Sequence, residues 1–418
     1  MTASTLTPRL SARAWRNAVF AIFALNGLAT ATWISRVPAM RDLLDISSGE
    51  VGLLLLGVSS GSIVGLVLSS HVVNWIGGKA TITFTLPMLA LGLAVLGLGA
   101  EVLGSYAVVW IGFAIFGFAT GLCDVAMNVE GAAVERVLDR NIMPWFHASW
   151  SLGSVIGAGI GAGAAFIGTE LPELGIGVLL HLVALAVIVA VAAPFVVRSI
   201  PKHVIDDTNE ETSRLSLRER MSIWLEPRTL LIGLIMLGMA FTEGSANDWL
   251  ALAMVDDRGV DHGQGALLFG VFTASMTVGR ILGVPVLDRF GRVPVLRTAA
   301  AMAIVGLSLV IWVDSIPVTI VGIVLWGLGA SLGFPVGMSA AADEPRKAAA
   351  RVSAVATVAY FAFLVGPPFI GFLGEHIGLL NSLIVVLALI VVAFLATPAA
   401  RERGKGLGSS RVSAGGSS

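Results

Sequence analysis

Apolar residues run along this chain in blocks of about twenty, the length of helix that crosses the hydrocarbon core of a bilayer. Twelve such windows lie near 17–37, 51–74, 80–100, 105–133, 145–167, 175–197, 229–252, 265–287, 295–313, 317–340, 352–373 and 378–397. One long polar connector, 198–228, separates the sixth from the seventh. Within it Leu217, Met221 and Trp224 recur at i, i+4, i+7, which predicts a short helix lying on the membrane surface. The pattern predicts an all-α integral membrane protein. Residues 1–197 form a first six-helix bundle, 198–228 a cytoplasmic linker, 229–400 a second bundle and 401–418 a disordered tail.

Composition agrees. Of 418 residues 56% are hydrophobic and 13% charged, about half the ~25% charge of a soluble domain. A formal net charge of −1 argues against a nucleic-acid partner. The single cysteine, Cys123, rules out an intrachain disulfide and reads as packing. The 49 glycines allow helices to approach closely. The N-terminus is polar and basic and leads into the first apolar block without a small-residue cleavage pattern, so it reads as a cytoplasmic tail and not a removable signal peptide. With the N-terminus inside, the cytoplasmic segments carry 22 Lys and Arg against 3 outside, which places both termini in the cytoplasm.

The two halves repeat. Shifted by 214, Gly49, Leu53, Leu54, Val64, Gly65, Leu68, Val72 and Gly77 fall on Gly263, Leu267, Leu268, Val278, Gly279, Leu282, Val286 and Gly291, and Asp42 falls on Asp256. With six spans in each half the repeat keeps its orientation in the membrane.

Polar residues inside the apolar blocks carry the functional argument. A carboxylate in hydrocarbon costs roughly 2.5–3.5 kcal/mol on insertion scales unless it faces a polar interior. Asp124, Asn128, Gly131 and Glu135 are spaced four, three and four, so they share one stripe of the fourth helix. That stripe predicts a helix lining a water-filled cavity, with Asp124 meeting solute or proton; a structural pairing is the plainer reading. Asn128 could equally bond a neighbouring helix. Glu130 lies about 240° round from Asp124 and reads as an interhelical partner. In the seventh helix Glu243 and Asn247 share a face as cavity residues, with Asp248 as an outer gate or loop anchor.

In the first helix, Asn26 reads as a cavity or interhelical group, and Trp33 as a flat face for a sugar ring or an interfacial anchor. Arg36 reads as a snorkelling residue. His147, at the start of the fifth helix, is an interfacial residue or a proton relay at the cytoplasmic end of the cavity. Trp150, nearly on the same face, is a cavity wall or packing. Arg280 pairs with an acid such as Glu243 or supports the loop beside it. Tyr360 donates to solute or packs, and the Gly-Pro-Pro run at 366–368 predicts a kink in the eleventh helix. There is no phosphate-binding P-loop, nucleophile elbow or metal-spaced His/Cys cluster, so no cofactor or metal is expected and ATP-driven transport would need another subunit.

Residues 283–297, `GVPVLDRFGRVPVLR`, carry a resemblance. Gly283, Asp288, Arg289, Gly291 and Arg292 resemble the cytoplasmic loop signature between helices 8 and 9 of the major facilitator superfamily. The resemblance implies two pseudo-symmetric six-helix bundles around a central cavity, and a loop that latches the outward-facing state, its Asp pairing with arginines at the end of a neighbouring helix. In the first half the equivalent loop has Asn74 and Trp75 in place of Asp and Arg. A narrower likeness lies in `GLCDVAMN`: Asp124 and Asn128 stand where the bacterial fucose–proton symporter branch has an acid and an Asn that handle substrate and proton. The acid of that branch's first helix is absent, and so is the Gly-Pro antiporter signature of helix 5.

These readings converge on a monomeric secondary carrier in the bacterial cytoplasmic membrane. It moves a small polar solute, with sugars as one class, by alternating access and proton coupling. The expected solute-contacting residues are Asp124, Asn128, Asn26, Trp33, Glu243, Asn247, Tyr360 and Trp150, with Asp124, His147 and Glu243 as proton carriers. The alternatives are a metabolite or drug exporter, a non-transporting sensor with the carrier fold and, last, a membrane enzyme.

Overall fold

The computed structural model describes residues 7–139, 142–170, 176–201, 217–344 and 347–402. Among the described residues there is no strand, and twelve helices are long and apolar enough to cross a bilayer. They are α1 (Ala12–Ile34), α2 (Ser48–Ser69), α3 (Gly78–Val102), α4 (Tyr106–Leu138), α5 (Trp145–Gly168), α6 (Val178–Val197), α7 (Pro227–Arg258), α8 (His262–Gly283), α9 (Arg292–Trp312), α10 (Ile316–Ala341), α11 (Ala350–Ile377) and α12 (Leu379–Ala400). An even number of spans returns the chain to its starting side, termed basal below; the opposite side is distal. Each predicted window falls on one helix. Several helices outrun their window, as α4 and α7 do, because a helix has no cause to stop at the edge of the hydrocarbon. It stops where the backbone turns left-handed, at Asp139 after α4 and Gly259 after α7.

The 214-residue repeat is visible in local chemistry. α2 opens with a capping box in which Ser47 and Glu50 satisfy each other's backbone, and α8 opens with the same device made of Asp261 and Gln264. The helical turns of both run on past these spans, to Ile76 and Phe290, and stop at a glycine of positive φ, Gly77 at 84° and Gly291 at 76°.

Glycine also sets how closely helices pack. Down the α2–α4 seam, a Cβ on Gly117 would fall on the carbonyl oxygen of Val58, and one on Gly121 on that of Ser62. Such backbone-to-backbone approach is how membrane helices associate without a hydrophobic driving force between them. α10 is interrupted by a turn at Ser331–Leu332, and α7 contains a π-helical turn over Ala246–Leu250. α11 runs through Pro367 and Pro368 without a break.

Two seams join the halves, and both are zipped from the distal end. Along α2 and α11, Ser48 meets Gly371, Gly52 meets Pro367, and the Ser59 hydroxyl donates to the Phe363 carbonyl at 2.8 Å. Along α5 and α8, Ala162 and Phe166 meet Gly263, Ala158 meets Gly270, and the seam ends where Arg280 reaches Ser151. Above the seams Arg41 is ion-paired with Asp256, and His262 Nε2 lies 2.9 Å from Asp42 Oδ2. The basal pairs Arg228–Asp343 and Arg292–Asp343, both 2.6 Å, stay within the second half. The molecule is thus held shut at its distal end.

The linker contributes a helix at Leu217–Trp224. Its protein-facing residue is Ile223, 1% exposed, whereas Met221 and Trp224 stay open. Residues 202–216 and the tail from 403 lie outside the described residues.

Candidate functional site

The polar residues picked out in the apolar blocks separate into those that stay partly exposed and those that are buried. Asp124 sits near the middle of α4 and is partly exposed. Asn128, one turn basal of it, donates to the Asp124 carbonyl at 2.7 Å and, more loosely, to its carboxylate at 3.4 Å. From the other half, Tyr360 near the middle of α11 is also partly exposed and lies within electrostatic reach of the Asp124 carboxylate.

Further along the predicted stripe the expectation fails. Gly131 lies under Met143 and Phe146, and Glu135 accepts the backbone N–H of Met143 at 2.6 Å, capping the first turn of the helix that continues into α5. Gly131 is covered by the start of α5 and Glu135, though partly exposed, is committed to capping it, which leaves Asp124 and Asn128 as the free part of the stripe. Glu130 is buried and accepts from the Trp15 indole of α1 at 3.0 Å.

The second group is built from α5, α7, α8 and α10. Both oxygens of Glu243 lie on one nitrogen of Arg280, Nη2, at 2.9 and 3.1 Å. Nη1 of Arg280 donates across the seam to the Ser151 hydroxyl at 3.1 Å, and Nε points at the Ser331 carbonyl at 3.4 Å. The Arg280 and Glu243 side chains keep 20% and 14% exposure. His147, one turn basal of Ser151 on α5, stands edge-on to Phe23 at 5.1 Å, is exposed, and lies within electrostatic reach of Arg280. Asn247 and Asp248 occupy the π-helical turn of α7, both partly exposed.

Two expected cavity residues are turned inward. Trp33 is 3% exposed and packs edge-on against Phe113 at 5.0 Å and Phe116 at 6.2 Å, inside the first half. Asn26 is 1% exposed, and its side-chain oxygen accepts from the Trp150 indole at 3.0 Å. The rotation of α1 decides both, and an isolated polar residue in a helix does not reveal rotation. Trp150 is left with part of its ring open.

In the loop signature, a Cβ on Gly283 would strike the Leu332 side chain, and Gly291 makes the turn. Arg292 pairs with Asp343, the residue two beyond the end of α10, and with the Ser339 hydroxyl at 2.9 Å. The expected pairing of Asp288 is not made: the residue is exposed with no partner among the described residues, and Arg289 lies over the Phe290 ring. With the halves zipped at the distal end, it is Asp343 that gathers Arg292 and Arg228.

Sequence reasoning missed Ser151, which is indistinguishable from the many membrane serines that bond their own helix, and the distal pairs Arg41–Asp256 and Asp42–His262. For the latter a signal existed, since Asp42 and Asp256 are repeat equivalents. Near those pairs lies a cleft of about 480 Å³ lined by Arg36, Asp42, Glu101 and His262, at the distal surface and away from Asp124.

A family model described as Major Facilitator Superfamily matches residues 244–415. An uncharacterized transporter of Sinorhizobium fredii is 30% identical over 390 residues, covering 90% of this chain and 97% of that protein. An uncharacterized MFS-type transporter of Yersinia pestis is 29% identical over 380 residues, covering 90% and 92%. Among solved structures, a mutant of the nucleoside transporter NupG superposes with a TM-score of 0.74 at 14% identity, over 93% of this chain and 99% of that one. FucP in the outward conformation gives 0.65 at 16% identity, over 93% and 99%. At such identities the structural likenesses establish the fold alone.

Proposed function

This chain belongs to the major facilitator superfamily of transporters, and from that premise we propose that it is a proton-coupled secondary carrier of a small polar solute in a bacterial cytoplasmic membrane. The observation that carries the reading is that Asp124 and Tyr360 lie within electrostatic reach of each other. Each comes from the middle of a span, one from each half, and both are partly open. A site shared between halves changes its exposure whenever the halves rock, which is the requirement of alternating access.

Asp124 has no cationic partner among the described residues. An intramembrane acid in that condition is suited to taking up and releasing a proton. Asn128, Tyr360, Glu243 and Trp150 complete the solute site, and Asn26 supports it from behind by holding the Trp150 indole. His147, exposed toward the basal side, hands protons between that site and water. The basal face is the cytoplasmic one on the count of basic residues, so the distal-closed form faces inward. The likeness of Asp124 and Asn128 to the fourth helix of the fucose–proton branch supports sugars as one solute class.

Proteoliposomes test this. Asp124→Asn should retain solute counterflow and lose accumulation driven by a pH gradient. Accumulation equal to the parent protein removes Asp124 from the coupling step. A ligand that binds and is never moved would instead favour the sensor reading.

A further inference from the structure

We propose that Arg280 is a half-occupied anion fork and that the solute carries a carboxylate which docks on it, making the cargo a small polyhydroxy acid and not a neutral sugar. The inference rests on the carrier reading above and specifies its substrate class. A guanidinium offers five N–H donors in one plane. In a closed structural pair a carboxylate lies across two nitrogens of that fork, one oxygen to each. Here both Glu243 oxygens lie on Nη2. Two oxygens of one carboxylate are too close together to engage both hydrogens of one nitrogen, so an N–H of Nη2 is left over. Nη1 commits one hydrogen to Ser151. The remaining N–H of Nη1 and of Nη2 find no acceptor among the described residues, and the side chain is one-fifth exposed. Two spare donors on neighbouring nitrogens are what a planar carboxylate takes.

The surroundings favour the same assignment. Arg280 is anchored from behind, where its Nε faces the Ser331 carbonyl, and Gly279 allows that approach because a Cβ there would strike the Ser331 hydroxyl. From α5 the buried Ser151 hydroxyl holds Nη1, and His147, one turn basal of it and exposed, is able to donate to an anion. Asp124, Asn128 and Tyr360 offer acceptors and donors suited to hydroxyl groups. Since Glu243 already balances Arg280, an incoming carboxylate adds a negative charge to a site in a low-dielectric slab. A proton taken up with it cancels that charge, which links solute and proton in one step.

The test compares D-gluconate with D-glucose, which share a six-carbon skeleton and differ in the acid, on purified protein by thermal shift, with L-lactate as a second acid. Gluconate should raise the melting temperature by several degrees at saturation and glucose should not. Arg280→Gln should abolish the gluconate shift, Arg280→Lys should weaken apparent affinity at least tenfold, and Ser151→Ala several-fold. Each variant is first required to be monodisperse; should Arg280→Gln not fold, the Lys and Ser151 variants decide. A shift with glucose alone, a shift with neither acid, or an undiminished gluconate shift in the variants overturns the anion fork. Glucose counterflow in proteoliposomes without any response to acids overturns it and leaves the carrier reading standing. Gluconate that binds through Arg280 and is never moved overturns the carrier reading and leaves the fork.

Discussion

Asp343 shows how far a single side chain shapes the basal face. It stands just past α10 and takes Arg228 and Arg292 together, with the three side chains 9%, 13% and 15% exposed. Burial pushes its carboxyl up, but the hydrogen bonds and charges of the two arginines outweigh that and hold it below the usual carboxylate range. A group with a depressed folded value contributes stability that is complete above its unfolded value of about 3.9 and fades as pH falls through the lower folded one. Asp343→Asn, which leaves two arginines short of a counter-charge, should therefore cost roughly 3 kcal/mol. Thermal melts should show the same gap from pH 8 to pH 5 and a narrowing gap only below about pH 4. At this scale Asp124, Asn128, Glu243 and Arg280 were legible in the sequence because a polar group in hydrocarbon demands a reason. For Trp33 and Asn26 the same demand is met by burial inside the first half, Asn26 making the interhelical bond that was its other reading, because burial inside a half and exposure between halves satisfy it equally well.

At the scale of elements, the seams between helices depend on where side chains are missing. A Cβ on Gly52 would come within 2.7 Å of the Pro367 carbonyl oxygen and 2.9 Å of the Pro368 Cα. Both are backbone atoms that cannot swing aside. Gly52→Val should pry α2 from α11, depopulate the distal-closed form and slow transport by an order of magnitude or more. Gly159→Val on α5, where a Cβ meets nothing within 4 Å, should leave transport near the parent rate. Flux assays on the two variants check the contrast. The twelve spans and the linker helix were readable from block length and from the i, i+4, i+7 spacing. The face of the linker helix was not: Ile223 lies outside that spacing, and the packing of a two-turn helix is decided by what it lands on.

For the whole molecule, the distal closure is the feature that sets which side the site faces. The pairs Arg41–Asp256 and Asp42–His262 cross from one half to the other, and their two aspartates are repeat equivalents. Their side chains are between 19% and 45% exposed, so each pair is worth no more than about 1 kcal/mol. Asp42→Ala with Asp256→Ala should shift the balance toward the distal-open form by a factor of a few and leave folding intact. Spin labels on Leu43→Cys and Val260→Cys in a Cys123→Ser background should report a longer distance population. An unchanged distribution would assign closure to the helix seams alone. Block length, the 214-residue repeat and the loop signature were enough to determine the number of spans, the two related halves and the family. Each of these is written in local hydrophobicity and in glycines that a turn requires, which need no partner to be read. Which flank of each helix meets water, and that Asp124 lies near Tyr360 and Arg280 against Ser151, was decided only by tertiary structure. Helix rotation and the meeting of distant segments come from packing between surfaces, and no single stretch of sequence carries that information.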